Sequence, residues 1–272
     1  MFERVETKTP EQVAVMRQAG LVVADIHDAL RAAIAPGVTT GELDEVARDV
    51  IASAGATSNF LGYHGFPGVI CASVNDEVVH GIPGPRVLRE GDVVSLDCGA
   101  VVDGWHGDAA FTTTVGSVPD EVTELLRVTE ESLWRGIAAA LSGGKVGNVS
   151  NAIEAFVRSQ GQYGITEGFT GHGIGREMHE PPTVPNAGRR GRGPKLVPGV
   201  VIAIEPMITL GTAATDLLED DWTAVTTDGS WAAHFEHTVA ITARGPWVLT
   251  ARDGGAAKLA ELGVPCGDPS LA

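Results

Sequence analysis

Apolar residues recur at three- and four-residue intervals near the start of the chain. Over residues 11–34 they fall at Val13, Met16, Ala19, Val23, Ile26 and Leu30, one face of a core-facing helix that Pro36-Gly37 brings to an end. Leu43, Val46, Val50 and Ile51 predict a second helix, with Thr40 read as its cap. The pattern then turns strand-like. Residues 68–73, 93–102 and 105–115 read as strands punctuated by glycine and proline. Helical spacing returns over 121–141 and 149–159, followed by strand-like runs over 200–208, 222–226 and 233–242. Beyond Arg252 no pattern persists, and residues 253–272 read as a loose carboxy-terminal tail.

Helices then strands, twice over, indicate an internal duplication. Gly37 through Ile51 aligns with Gly143 through Val157, and Leu88 through Asp97 with Leu196 through Glu205. His106-Gly107-Asp108 aligns with His234-Phe235-Glu236 after an extra stretch. A single catalytic domain over 1–272 is therefore expected, with pseudo-repeats over 12–115 and 121–250. Each half contributes one acid that ends a strand and another on the next strand.

The first such pair lies on a predicted hairpin. Asp103-Gly104 is a strong two-residue turn signal. With those residues at the turn centre, Asp108 falls opposite Gly99 and Asp97 opposite Ala110, so both carboxylates project from one face as diagonal neighbours. Two carboxylates on so apolar a hairpin repel unless a cation or a proton lies between them. Glu205, after Ala203-Ile204, and Glu236, after His234-Phe235, repeat the pattern in the second half.

Composition narrows the function. The 272 residues carry 19 basic and 35 acidic side chains, a formal net charge of −16. That balance argues against specific nucleic-acid or anionic-membrane binding. The basic run Arg189-Arg190-Gly191-Arg192-Gly193-Pro194-Lys195 reads as a solvated loop. No apolar run is long enough to span a bilayer. Met1-Phe2-Glu3-Arg4 does not resemble a leader, so a soluble cytoplasmic protein is expected. Cys71, Cys98 and Cys266 are odd in number and widely spaced, which gives neither a disulfide framework nor a cysteine zinc site. Four converging carboxylates instead call for divalent metal, a pair of ions of Mn, Fe, Co or Zn type roughly 3.5–4 Å apart. His172, between glycines in Gly171-His172-Gly173-Ile174-Gly175, is the imidazole best placed to join them.

Read together, these segments resemble a known family. Tyr63-His64-Gly65-Phe66-Pro67, Val74-Asn75-Asp76-Glu77-Val78-Val79-His80-Gly81-Ile82-Pro83, Ser95-Leu96-Asp97-Cys98-Gly99 and Trp105-His106-Gly107-Asp108 occur in order. Gly171-His172-Gly173-Ile174-Gly175, Ile204-Glu205-Pro206-Met207 and Phe235-Glu236-His237-Thr238 follow. Together they resemble the type I methionine aminopeptidases, from about residue 11 to Thr250. The resemblance implies an α/β (α+β) pita-bread fold: two pseudo-symmetric halves around a curved antiparallel sheet backed by helices. It implies that Asp97, Asp108, His172, Glu205 and Glu236 hold two divalent ions, Asp108 and Glu236 bridging them.

The implied activity is hydrolytic removal of the initiator methionine from nascent chains and peptides through a metal-bridging water. Glu205 would be base and then acid, His179 would stabilise the carbonyl oxygen, and His80 would contact the peptide nitrogen or the following backbone. Tyr63, Phe66, Cys71 and Trp222, joined by Phe60 and Met178, would wall the methionine pocket, where sulfur–aromatic contacts suit a thioether. Phe60 stands where the family often has cysteine, Met178 where it often has an aromatic residue, and His234 where it usually has glutamine. A monomer in transient contact with the ribosome is expected. A proline-specific relative on the same fold is the nearest rival, disfavoured by the Tyr63, Cys71 and Trp222 pocket. A binding module that lost catalysis is disfavoured by five intact ligand positions.

Overall fold

The computed structural model describes residues 5–269. Residues 1–4, which bear on the expected lack of a leader, and 270–272 of the expected tail lie outside that range. Helix α1 (Pro10–Ala33) begins at a capping box: the Thr9 hydroxyl accepts from the Gln12 amide while the Gln12 side chain accepts from the Thr9 amide, with Pro10 in the first turn. Helix α2 (Thr40–Ser53) uses the same device one residue earlier than expected. Its cap is Thr39, because only Thr39 has a glutamate, Glu42, three positions on.

Strands β1 (Ile70–Val74), β2 (Glu77–Val79), β3 (Val93–Val102) and β4 (Trp105–Thr114) follow. Helices α3 (Asp120–Ala139) and α4 (Val146–Gln160) come next, then β5 (Gly164–Ile165), β6 (Gly171–Gly173) and β7 (Glu180–Val184). The remaining strands are β8 (Val201–Ile204), β9 (Met207–Thr209), β10 (Thr215–Leu217), β11 (Ala224–Thr226), β12 (Ala232–His234), β13 (His237–Ile241) and β14 (Pro246–Val248), and α5 (Ala256–Glu261) closes the chain.

Two expectations are corrected. The runs 200–208 and 233–242 are not single strands. β8 and β13 belong to one five-stranded sheet (β14-β13-β8-β6-β7), whereas β9 and β12 pair in another (β12-β9-β5). Pro206 has no amide to donate at the first break. The second correction concerns the tail. It is placed as far as residue 269: Leu259 on α5 is fully buried, the Cys266 thiol donates to the Gly254 carbonyl, and the Gly267 amide donates to Pro246. Six helical residues are too few to show a period in the sequence.

The sheets join into one curved surface. β1, β3 and β4 are antiparallel neighbours, and β4 continues laterally onto the chain around β12 and β13. Ala110 and Glu236 exchange backbone hydrogen bonds, Thr238 Oγ1 bridges the Asp108 amide and carbonyl, and Thr112 Oγ1 does the same for His234. Helices cover the opposite face. At Gly107 an added Cβ would lie 2.8 Å from the Gly20 amide of α1, so helix and strand meet backbone to backbone. The main core fills this interface with Val23, Ile26, Leu30, Leu96, Phe111, Leu125 and Ile137.

Candidate metal centre and its pocket

The hairpin register is the one the turn signal predicts. Asp97 pairs with Ala110 and Gly99 with Asp108, while Asp103 and Gly104 adopt φ of 50° and 74°. Asp97 is also opposite Cys71 of β1. On the far side, His237 pairs with Ile204 and His234 with Met207, which leaves Glu236 and Phe235 facing Glu205 and Pro206 across the break. Directly paired residues share a sheet face. Cys71, Asp97, Ala110, Glu236 and Glu205 therefore form one row across five neighbouring segments. Asp108 and His234 flank that row on the same face, each two residues from a member of it. Ala110 lies centrally and has only a methyl group, which leaves room among the acids. Gly99 is needed for a different reason: a Cβ there would strike the side chain of Asn59.

Three of the acids leave an oxygen without a partner. Asp97 Oδ1, Asp108 Oδ1 and Glu236 Oε1 are buried with no hydrogen-bond donor, and Asp108 and Glu236 are 4% and 2% exposed. Burial lifts Asp97 to about 7. Burial, then the charge of neighbouring acids, pushes Asp108, Glu205 and Glu236 well above the usual carboxylate range. The histidines shift the other way. Burial, then His179, lowers His172 to about 3 and His80 to about 4, and burial also lowers His179. Neutral imidazoles beside orphaned carboxylate oxygens suit divalent cations and disfavour an ordinary ion-pair cluster. Asp108, His172 and Glu236 present ligand atoms all within 4.8 Å of one another, and so do Glu205, His234 and Glu236. His172 Nε2 is 3.4 Å from Glu205 Oε1.

The acids form one wall of a cavity of about 140 Å³. All thirteen residues singled out in the sequence line it: the five proposed ligands, His80 and His179, and Phe60, Tyr63, Phe66, Cys71, Met178 and Trp222. The last six pack as one apolar cluster with Ile82, and Phe66 meets Trp222 edge to face at 5.0 Å. Trp222 is set by Asp220, whose carboxylate accepts from the Trp222 and Thr223 amides. The loop carrying Met178 and His179 is fixed by Glu180, which pairs with buried Lys8 and accepts from the Glu177 amide. Tyr63 Oη is 2.7 Å from His179 Nδ1. His80 holds a left-handed φ of 61° and is 5.7 Å, ring to ring, from Phe169. Phe169, Asn59 and Ala110 were not singled out in the sequence. Only Ala110 had a signal there, its place in the hairpin opposite Asp97.

Carboxylates and a histidine facing a pocket with apolar walls define a candidate metal centre with room for a side chain beside it. Residues 14–243 match metallopeptidase family M24. Methionine aminopeptidase 1 of Mycobacterium tuberculosis is 53% identical over 252 residues, 90% of this chain and 95% of that protein. Methionine aminopeptidase 1 of Bacillus subtilis is 48% identical over 243 residues, 89% of this chain and 98% of that protein. The crystal structure of methionine aminopeptidase from Thermotoga maritima superposes with a TM-score of 0.90 at 42% identity, covering 92% of this chain and all of that one. The chain belongs to metallopeptidase family M24, within its methionine aminopeptidases, and has their pita-bread fold. Prolidase from Pyrococcus furiosus, at 22% identity and a TM-score of 0.74, shares the fold alone.

Proposed function

We propose that this protein removes the amino-terminal methionine of peptides and nascent proteins by hydrolysing the first peptide bond with two divalent cations. The observation that carries the reading is the cluster of four carboxylates, three of them with a buried oxygen that has no hydrogen-bond partner, lining one pocket with six apolar side chains. Asp97, Asp108, His172, Glu205 and Glu236 would hold the cations. When bound, these supply Lewis acidity, lowering the pKa of the attacking water and polarising the scissile carbonyl.

The chain's own groups do the rest. Glu205 takes the proton from the attacking water and returns it to the departing amine. With the Tyr63 hydroxyl donating across its contact to His179 Nδ1, the neutral imidazole would carry its proton on Nε2, able to donate to the carbonyl oxygen as charge develops there. His80 contacts the peptide nitrogen or the backbone beyond it. The Asp97 side of the centre receives the free α-amine. Phe66, Trp222 and Tyr63 surround the thioether with ring edges, and Met178 and Cys71 add soft sulfur.

The two helix pairs, each preceding strands that carry the acids, support the pseudo-repeats within a single catalytic domain. A cytoplasmic monomer in transient contact with the ribosome fits this substrate. Among the described residues no helix is long and apolar enough to cross a membrane.

The test is release of free amino acid from Met-Ala-Ser and from Gly-Pro with Mn, Fe, Co or Zn supplied. Methionine release that depends on metal and falls by about 10²–10⁴-fold in Glu205→Gln is expected. No release with any of the four metals, or a preference for Gly-Pro, overturns the reading.

A further inference from the structure

His234 is not among the five expected ligands, yet it stands on the acids' face. β12 places it two residues before Glu236, opposite Met207 on β9. Its backbone is clamped from β4: the His234 amide donates to Thr112 Oγ1, and that hydroxyl donates to the His234 carbonyl. The side chain is 2% exposed, and Nε2 is buried with no hydrogen-bond partner. An imidazole nitrogen in so enclosed a place needs either a hydrogen bond or an ion.

The distances favour the ion. His234 Nε2 is 3.7 Å from Glu236 Oε2, beyond hydrogen-bond range. Two donors bound about 2.1 Å from one cation lie about 3.4 Å apart at a tetrahedral angle and about 3.6 Å at 120°. The His234–Glu236 separation of 3.7 Å falls near these values. Glu205, His234 and Glu236 bring their ligand atoms within 4.8 Å of one another. Along the strands, His234 beside Thr112 and Asp108 beside Thr238 flank Glu236 on opposite sides.

We propose that His234 is a sixth metal ligand, its imidazole reaching the centre beside Glu205 and Glu236 and adding to Asp97, Asp108 and His172, so that the centre offers two imidazoles. This rests on the dinuclear reading above. A second imidazole moves the donor set away from the hard, all-oxygen preference of Mn and towards Zn or Fe. His234→Gln keeps a side chain able to donate to Glu236 and removes the imidazole nitrogen, which separates a ligand from a group that only orients the carboxylate.

The experiment loads the full chain with Zn(II), removes excess ion, and counts imidazoles per zinc by X-ray absorption. Calorimetric titration of Zn(II) and Mn(II) into the chelator-treated protein runs alongside. Two bound ions with both histidines ligating give about one imidazole per zinc, against about one half with His172 alone. In His234→Gln the count should fall to about one half, and Zn(II) affinity at one position should drop at least tenfold, more than Mn(II) affinity. A count of one half in the unmutated protein overturns the proposal without any variant, as does an unchanged count and affinity in His234→Gln. Methionine release measured on the same zinc-loaded sample separates the two readings. Normal release with one half imidazole per zinc sinks only the role of His234, whereas a protein that binds no divalent ion sinks both.

Discussion

Chelating the centre should give a protein that loses stability as pH rises above about 7. Without a cation, burial holds the Asp97 carboxyl at about 7 against an ordinary 3.8. Asp108, Glu205 and Glu236 are raised as well. From about pH 4 these acids keep protons that the unfolded chain has shed, but up to about pH 6.5 the buried histidines, lowered to about 3 at His172 and about 4 at His80, work the other way by refusing protons the unfolded chain binds. Above that the acids set the slope and stability declines as pH climbs. For Asp97 the loss begins near its unfolded value and is complete once pH passes about 7. The gap amounts to about 4 kcal/mol for that one group. Cation binding needs the charged carboxylates, so it releases protons and strengthens with pH. Asp97 alone should give about a tenfold gain in affinity from pH 6 to pH 8. Urea unfolding of chelated and metal-loaded protein between about pH 7 and 9 reads the first effect. Calorimetry in buffers of different ionisation heat counts the protons. A chelated protein equally stable across that range, releasing no protons on metal addition, would show that the acids are not held protonated by burial.

Other substitutions probe separate parts of the structure. Tyr63→Phe removes the 2.7 Å contact to His179; a loss of about 1 kcal/mol, several-fold in kcat with KM little changed, is expected from steady-state kinetics. Ala110→Val puts a branched side chain in the middle of the acid row. Divalent-ion affinity by calorimetry should fall at least about tenfold, a loss comparable to those at ligand-orienting residues. Leu259→Ala empties a fully buried position on α5; denaturation should show about 2–5 kcal/mol of lost stability with turnover of the folded enzyme unaltered.

Local chemistry was the legible part of this chain. Asp103-Gly104 alone fixes the register that sets Asp97 and Asp108 on one face, because a two-residue turn leaves no slack. The cap of the second helix is equally local, though the sequence points to Thr40 and the capping box is built on Thr39. The breaks at 205–206 and 235–236 were hidden, because apolar residues continue through them and only pairing with different partners divides the strands. The five-residue row needed strand order, a non-local property. His234 shares Glu236's face by simple alternation, but that its nitrogen is left without a partner depends on neighbours far away in sequence.

The four acids are mounted in two different ways. Asp97 and Asp108 sit within an unbroken ten-residue ladder on each strand, so their spacing cannot change without disturbing many backbone hydrogen bonds. Glu205 and Glu236 occupy joints where the chain passes from one sheet to the next, and a small rotation there disturbs few. A larger or smaller cation is thus accommodated from one side only. Metal exchange should shift the 205 and 236 segments while the hairpin stays fixed, giving the centre a rigid jaw and an adjustable one.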